Sequence, residues 1–459
     1  MKLRFLGGTR TVTGSCFLLT SDKTKILIDC GMSQGSGADE INRRQFEFDP
    51  AEIDYLFLTH SHIDHVGLVP KLVKDGFRGS IITTAAASDI TELMLYDSAH
   101  IQESDAEWHN RKALRSGRKL VEPLYTGRDV DRVLPLLKRK NYGKVETLSG
   151  GIRYRLVNAG HILGSSTLEL WYEDGSGEKK IVFSGDIGKK DNPIVKDPSS
   201  VEKADYLVVE STYGNRNHKG MTASIDELVD IVKSTFIKGG NVIIPSFALG
   251  RTQDIILILN RLVKEGRLFR INVYIDSPLA ERVSKVYAKH PEYFDEEARQ
   301  LFNIESSDAL RIHFTRSMED SIALNKIKKE AVIIAGSGMC EGGRIKHHLK
   351  HNLWRKECSI VFVGFQAQGT LGRHIVDGAK FVEVLGENIM VGAGIHTLGG
   401  FSAHADRDEI LEWISGFKNS PEVFIVHGEE KTSLEFQSLI NEKFGYKTRV
   451  PFRGDEVEV

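Results

Sequence analysis

Two rhythms in the sequence predict an α/β protein of two domains: closely spaced strands over the first part of the chain and, from about Met221, a regular alternation of helix and strand. A third observation, the run Thr59-His60-Ser61-His62-Ile63-Asp64-His65 directly after the apolar Tyr55-Leu56-Phe57-Leu58, places metal chemistry at a strand end of the first domain. The 459 residues exceed one typical core, which agrees with two domains.

Each element follows from its local pattern. Lys2 to Leu6, Ser15 to Thr20, Lys25 to Asp29 and Tyr55 to Leu58 are short apolar runs between turn residues and are expected as strands. A helix is expected from near Leu68, and a longer amphipathic one from about Ser88 through Thr91, Leu93 and Met94 towards Ile101. From Gly151 strands return at Arg153 to Asn158, Ser166 to Tyr172, Lys180 to Ser184 and Tyr206 to Glu210. The alternating block begins with helix Ile225 to Phe236, strand Asn241 to Pro245, helix Arg251 to Leu262 and strand Ile271 to Asp276. It continues with helix Leu279 to Ala288, strand Ala331 to Ala335, helix Gly343 to His351 and strand Ser359 to Gly364. Strands joined through helices pair in parallel, so this block is expected as a parallel sheet with covering helices. Further strands, a helix, the strand Val423 to Val426 and a last helix and strand complete the chain.

Composition excludes several classes. With 41% hydrophobic and 27% charged residues, the chain has the balance of an ordinary globular protein. The apolar start Met1 to Leu6 runs into Gly7-Gly8 and is too short for a signal peptide or a membrane span, so a cytoplasmic protein with no membrane partner is expected. Cys16, Cys30, Cys340 and Cys358 are far apart with no C-x-x-C pair, which argues against a disulfide framework and against thiolate metal ligands. A net charge of -2 means that any polyanion must be held locally. Two basic stretches are candidates: Arg111, Lys112, Arg115, Arg118 and Lys119, and Arg344, Lys346, His347, His348 and Lys350. Solvated helix faces have the same composition.

The chemistry starts at the histidine run. Burying His and Asp without partners costs on the order of several kcal/mol each, so three imidazoles and a carboxylate within His60 to His65 require metal ions. At a strand end, His60 and His62 point the same way and can hold one ion, while Asp64 and His65 at the following turn can reach a neighbouring one. Other strands end in ligand-type residues beside glycine: His161 in Asn158-Ala159-Gly160-His161, Asp186 in Phe183-Ser184-Gly185-Asp186, and His427 in Val426-His427-Gly428.

This series, with Asp29 on an early strand, resembles the ligand set of the metallo-β-lactamase-fold hydrolases. The resemblance implies an αββα sandwich and two zinc ions per chain, with manganese as the alternative ion. His60, His62 and His161 would hold the first, Asp64, His65 and His427 the second, with Asp186 bridging and Asp29 behind them orienting the ligands. The long gap between Asp186 and His427, filled by the alternating block, resembles the inserted β-CASP domain of RNA-processing and DNA-repair nucleases. Glu210-Ser211-Thr212-Tyr213-Gly214, Phe401-Ser402-Ala403-His404 and Ile425-Val426-His427-Gly428-Glu429 resemble the three motifs of that branch. Ile244 to Arg251, Gly336-Ser337-Gly338-Met339 and Gly364 to Gly369 are similar to segments of members related to the nuclease subunit of the cleavage and polyadenylation machinery. A histidine at 427 points to RNA rather than to DNA repair. The expected domains are residues 1–209 and 386–459 for the metallo-β-lactamase part and 210–385 for the β-CASP part, in a chain of the stand-alone prokaryotic type.

The resemblance thus implies a zinc-dependent ribonuclease hydrolysing phosphodiester bonds of single-stranded RNA in processing or decay. Endonuclease action is expected, and 5′ to 3′ exonuclease action is compatible with the same centre. His404 is then the general acid for the leaving ribose oxygen and Glu210 the carboxylate that raises its pKa, with Asp64 and Asp186 catalytic through the metal centre. Arg251 at a helix start and Ser337 and Gly338 in a glycine-rich turn are the candidate RNA contacts. Members of the family often form homodimers, so a homodimer is left open. Two other readings share the metal core. A lactonase-like or thioesterase-like small-molecule hydrolase has no use for the inserted block, and a non-catalytic scaffold in an RNA-processing complex usually lacks ligands.

Overall fold

The computed structural model of the chain describes residues 1–35, 37–175, 177–301 and 310–459. They form two compact units, the first made of Met1–Lys190, Asp197–Asn217 and His404–Val459, the second of Asp191–Lys196 and His218–Ala403. The second unit therefore continues past the expected break at 385. The strand Gly394–Thr397 lies beyond that point and pairs in parallel with Ser359–Phe362 at the edge of the second unit's sheet.

The first unit contains two seven-stranded sheets. One runs, edge to edge, Glu456–Glu458, Lys2–Gly7, Cys16–Thr20, Lys25–Ile28, Tyr55–Phe57, Ser80–Thr84 and Leu137–Lys140. The other runs Thr448–Arg449, Glu422–Val426, Tyr206–Glu210, Glu178–Phe183, Ser166–Glu173, Arg153–Asn158 and Glu146–Thr147. Side chains alternate across a strand, so each sheet offers two faces. Phe5, Phe17, Ile28 and Phe57 of one sheet pack on Leu168, Phe183, Val208 and Phe424 of the other. Their alternating neighbours face outward onto helices. Leu27, Leu56 and Ile81 meet Val69–Lys74, Gly127–Val133 and Ala85–Ser116, while Leu207, Val209 and Ile425 meet Arg407–Ser415 and Glu430–Phe444. The result is a helix, sheet, sheet, helix sandwich.

Several elements differ from their sequence pattern. The expected helix near Leu68 is two: Ile63–Val66, which stops at Gly67, and Val69–Lys74, whose Pro70 suits a first turn. Ala85–Ser116 begins before Ser88 because the Thr84 hydroxyl accepts the Ala87 N–H at 3.2 Å and caps it. Ser80–Thr84 and Leu137–Lys140 are further strands that the local sequence pattern does not mark.

The second unit is a six-stranded parallel sheet in the order Arg311–Phe314, Asn272–Asp276, Ala331–Ala335, Val242–Pro245, Ser359–Phe362 and Gly394–Thr397. Val242 and Ile244 pack into one hydrophobic layer and Ile243 into another on the opposite face, as expected of strands buried on both sides. The helices Met221–Ile237 and Arg251–Lys264 cover the first face, and Ile345–Asn352 covers the second. Among the described residues, no helix is long and apolar enough to cross a membrane. All four cysteines are buried and free.

Candidate metal centre

In the first unit, parallel strands of both sheets end at one place. Lys25–Ile28 and Tyr55–Phe57 are parallel neighbours and lead into Asp29 and into Thr59 to His65. Glu178–Phe183, Tyr206–Glu210 and Glu422–Val426 are also parallel, and lead into Asp186, Glu210 and His427. The histidine run is fixed by backbone bonds, since Ser15 N–H donates to Asp64 O at 2.9 Å and Cys30 N–H to His65 O at 2.8 Å. This close approach requires a glycine: a Cβ at Gly31 would lie 1.6 Å from the Asp64 carbonyl oxygen.

The ligand-type side chains fall into two groups around Asp186. His60, His62, His161 and Asp186 form one, and Asp64, His65 and His427 the other, each with ligand atoms within 4.8 Å of one another. Asp186 Oδ2 lies 3.4 Å from His60 Nε2 and 3.7 Å from His161 Nε2. Its Oδ1 lies 3.4 Å from both His65 Nε2 and His427 Nδ1. One oxygen thus faces each group. In the first group His62 Nδ1 is 3.0 Å from His60 Nε2 and 3.2 Å from His161 Nε2. Tetrahedral zinc with Zn–N bonds of about 2.0–2.1 Å sets its nitrogens about 3.3 Å apart, so the spacing fits nitrogens sharing an ion.

The protonation of His60 and His62 and the bonding around Asp186 support the same fit. Burial holds His60 well below the ordinary histidine range and His62 down to about 4, which leaves both neutral with lone pairs to donate. Burial would raise Asp186, yet the neighbouring His427 and His65 hold it well below the usual carboxylate range. Asp186 Oδ1, His65 Nε2 and His427 Nε2 are buried with no hydrogen bond. A native fold rarely leaves three such atoms together unless something else binds them.

Behind these atoms stand carboxylates and hydroxyls that orient them. Asp29 accepts the Thr59 N–H and hydroxyl, both at 2.8 Å, and the His65 Nδ1–H at 2.7 Å, which turns His65 Nε2 inward. Thr212 Oγ1 lies 3.2 Å from His427 Nδ1 and donates to His427 O at 3.1 Å. Asp29 and His427 both take positive φ, 56° and 48°, a conformation that costs a non-glycine residue about 1–3 kcal/mol and gathers at functional sites. Thr59 and Thr212 lie inside the motifs, but nothing in the sequence distinguishes them from strand-end threonines.

Glu210 and His404 meet beside this cluster. Fully buried Glu210 faces His404 Nδ1 at 3.2 and 3.1 Å, and Ile187 N–H donates to its Oε1 at 2.6 Å. Ala405 N–H donates to Ile187 O at 2.8 Å and holds the His404 turn. Burial would lower His404, but Glu210, by charge and hydrogen bond, together with the charges of Asp186 and Asp64, raises it above the ordinary histidine range. The side chains of His404 and Asp64 keep 17% and 19% exposure, whereas Asp186 keeps 2%.

The candidate RNA contacts belong to the other unit. Arg251 is buried and donates Nη1 to Asp254 at 2.7 Å, so this part of its guanidinium is occupied. Ser337 closes its own loop, its N–H donating to Gly342 O at 3.1 Å and its hydroxyl accepting the Gly342 N–H at 3.2 Å. A Cβ at Gly338 would lie 2.7 Å from the Phe247 ring. Arg111 and Lys112 lie on Ala85–Ser116, with Lys112 over the Trp108 ring.

A cluster of this kind on such a sandwich defines a metallo-hydrolase of the metallo-β-lactamase class, and comparison with known proteins narrows it. The family model of the metallo-β-lactamase superfamily matches residues 9–235, that of the Beta-Casp domain residues 252–375, and that of the Zn-dependent metallo-hydrolase RNA specificity domain residues 388–451. A ribonuclease of Thermus thermophilus is 37% identical over 96% of both chains. Transcription termination factors FttA of Methanosarcina mazei and Thermococcus kodakarensis are each 31% identical, over 98% and 100% of this chain and 70% and 71% of theirs. A crystal structure of a protein of unknown function from Enterococcus faecalis shares the fold, with a TM-score of 0.57 at 13% identity over 99% of both chains. The chain belongs to the β-CASP branch of the metallo-β-lactamase superfamily.

Proposed function

We propose that this protein is a zinc-dependent ribonuclease that hydrolyses phosphodiester bonds within single-stranded RNA. The observation that carries this reading is Asp186 presenting one carboxylate oxygen to each of two ligand groups, with the Glu210 and His404 pair beside it. The RNA specificity domain matched at 388–451 and the ribonuclease and termination-factor relatives support RNA as the substrate, in transcript processing or decay.

His60, His62 and His161 would hold one zinc ion, Asp64, His65 and His427 a second, with Asp186 reaching both. Such ions lower the pKa of bound water to about 7 and neutralise phosphate oxygens during in-line displacement. The remaining work falls to the chain. Asp64, the more water-accessible of the two acids, accepts the proton released by the attacking water. His404, with Nδ1 against the Glu210 carboxylate, donates a proton to the departing ribose oxygen. Asp29 and Thr212 keep His65 and His427 in orientation.

The test is digestion of an RNA labelled separately at each end, beside a duplex of the same sequence and a panel of lactone and thioester substrates. Internal fragments from the single strand, with little duplex or small-molecule turnover, are expected. Turnover of lactones or thioesters with intact RNA would move the assignment to a small-molecule hydrolase.

A further inference from the structure

The second unit holds a buried carboxylate that the metal chemistry does not use. Asp276, the last residue of Asn272–Asp276, is 1% exposed. It accepts the His348 Nε2–H and the Ser321 hydroxyl, each at 2.6 Å, the Arg344 Nη1–H at 2.8 Å, and the Thr315 hydroxyl. Burial pushes Asp276 up, but these four donors hold it well below the usual carboxylate range.

Arg344 is the member of this network that reaches solvent, with 26% of its side chain exposed. Its hydrogen bonds, to Asp276, Thr315 Oγ1 and Thr315 O, all leave from Nη1. Among the described residues, Nε and Nη2 meet no acceptor, so one end of the guanidinium is anchored and the donors of the other are available. Its backbone is fixed as well, because Ile345 N–H donates to Gly336 O at 2.9 Å across the turn after Ala331–Ala335. Both strands end here at the carboxyl edge of a parallel sheet, where open α/β sheets bind ligands. Elsewhere in the basic stretch, His348 is buried against Asp276, Lys346 donates to Glu341 O at 3.4 Å, and Lys350 pairs with Glu387.

We propose that Arg344 is a phosphate contact for RNA and that Asp276 is the residue that positions it. This rests on the ribonuclease reading above. A guanidinium held at one nitrogen presents its remaining donors in a fixed fork, which suits a phosphate and loses little side-chain freedom on binding.

Binding of a labelled single-stranded oligoribonucleotide, followed by anisotropy in a His404→Ala background across roughly 50 to 200 mM salt, tests the proposal. Arg344→Ala is expected to weaken binding about tenfold and to reduce the log–log salt slope by about 0.7, the share of one phosphate contact. Arg344→Lys should keep the slope and lose part of the affinity. Asp276→Asn should weaken binding with the slope retained, since the arginine stays charged but loses its anchor. Unchanged affinity and slope in Arg344→Ala, with a lowered Tm, would make the network purely structural and overturn the proposal. Absence of RNA binding by the parent protein overturns the ribonuclease reading itself, a separate result.

Discussion

Both units gather polar residues at the carboxyl ends of parallel strands, and the two edges differ in which charge they present. In the first unit, Asp29, Asp186, Glu210 and His427 stand at strand ends and turn lone pairs inward, with Asp186 Oδ1, His65 Nε2 and His427 Nε2 among the buried atoms left without hydrogen bonds. In the second, the strand-end acid Asp276 is satisfied by four donors and holds out a cation, Arg344. The backbone position is the same, and the side chains decide whether it suits a cation or an anion.

The largest expected effect breaks the first edge. Asp186→Ala removes the oxygens shared by both ligand groups, and cleavage should fall by at least about 10³-fold with metal content below that of the wild type by elemental analysis. If the protein is metal-loaded, chelation should likewise lower the Tm, because an ion bound only to the folded chain at a thousand times its Kd stabilises it by about 4 kcal/mol. Next comes the acid: His404→Ala should slow cleavage by about 10² to 10⁴-fold. Asp29→Asn keeps the shape but loses the charge that orients His65, so metal affinity or activity should drop about 10 to 100-fold. Leu259→Ala sharpens the contrast from the other side. It opens a cavity in the second unit's core, where Leu259 is fully buried, and should cost about 2–5 kcal/mol in denaturant unfolding with metal content unchanged.

The sequence displays the first edge more openly than the second. Strands such as Ile181 to Phe183 are apolar runs ending at a glycine and a ligand-type residue, so both the strand and the candidate ligand are visible locally. The helix and strand alternation after Met221 is equally plain. What escapes is set by long-range contact. Glu210 and His404 are 194 residues apart, and no periodicity joins them; only the family resemblance pairs them. Leu137–Lys140 is a charged edge strand and Gly394–Thr397 has little apolar pattern, so pairing alone makes them strands and moves the second unit's end to Ala403. The basic stretch from Arg344 to Lys350 looks uniform in sequence, yet the fold buries His348 and leaves Arg344 reaching solvent.

The proposed mechanism joins a metal centre to a separate proton donor, His404. The most direct test compares wild-type and His404→Ala proteins on end-labelled single-stranded RNA, with the zinc content of both samples measured. Internal cleavage by the wild type is expected, and in the variant full zinc content with cleavage slowed by about 10² to 10⁴-fold. A fully zinc-loaded wild type that leaves the RNA intact, or a variant that cuts at the wild-type rate, would contradict it.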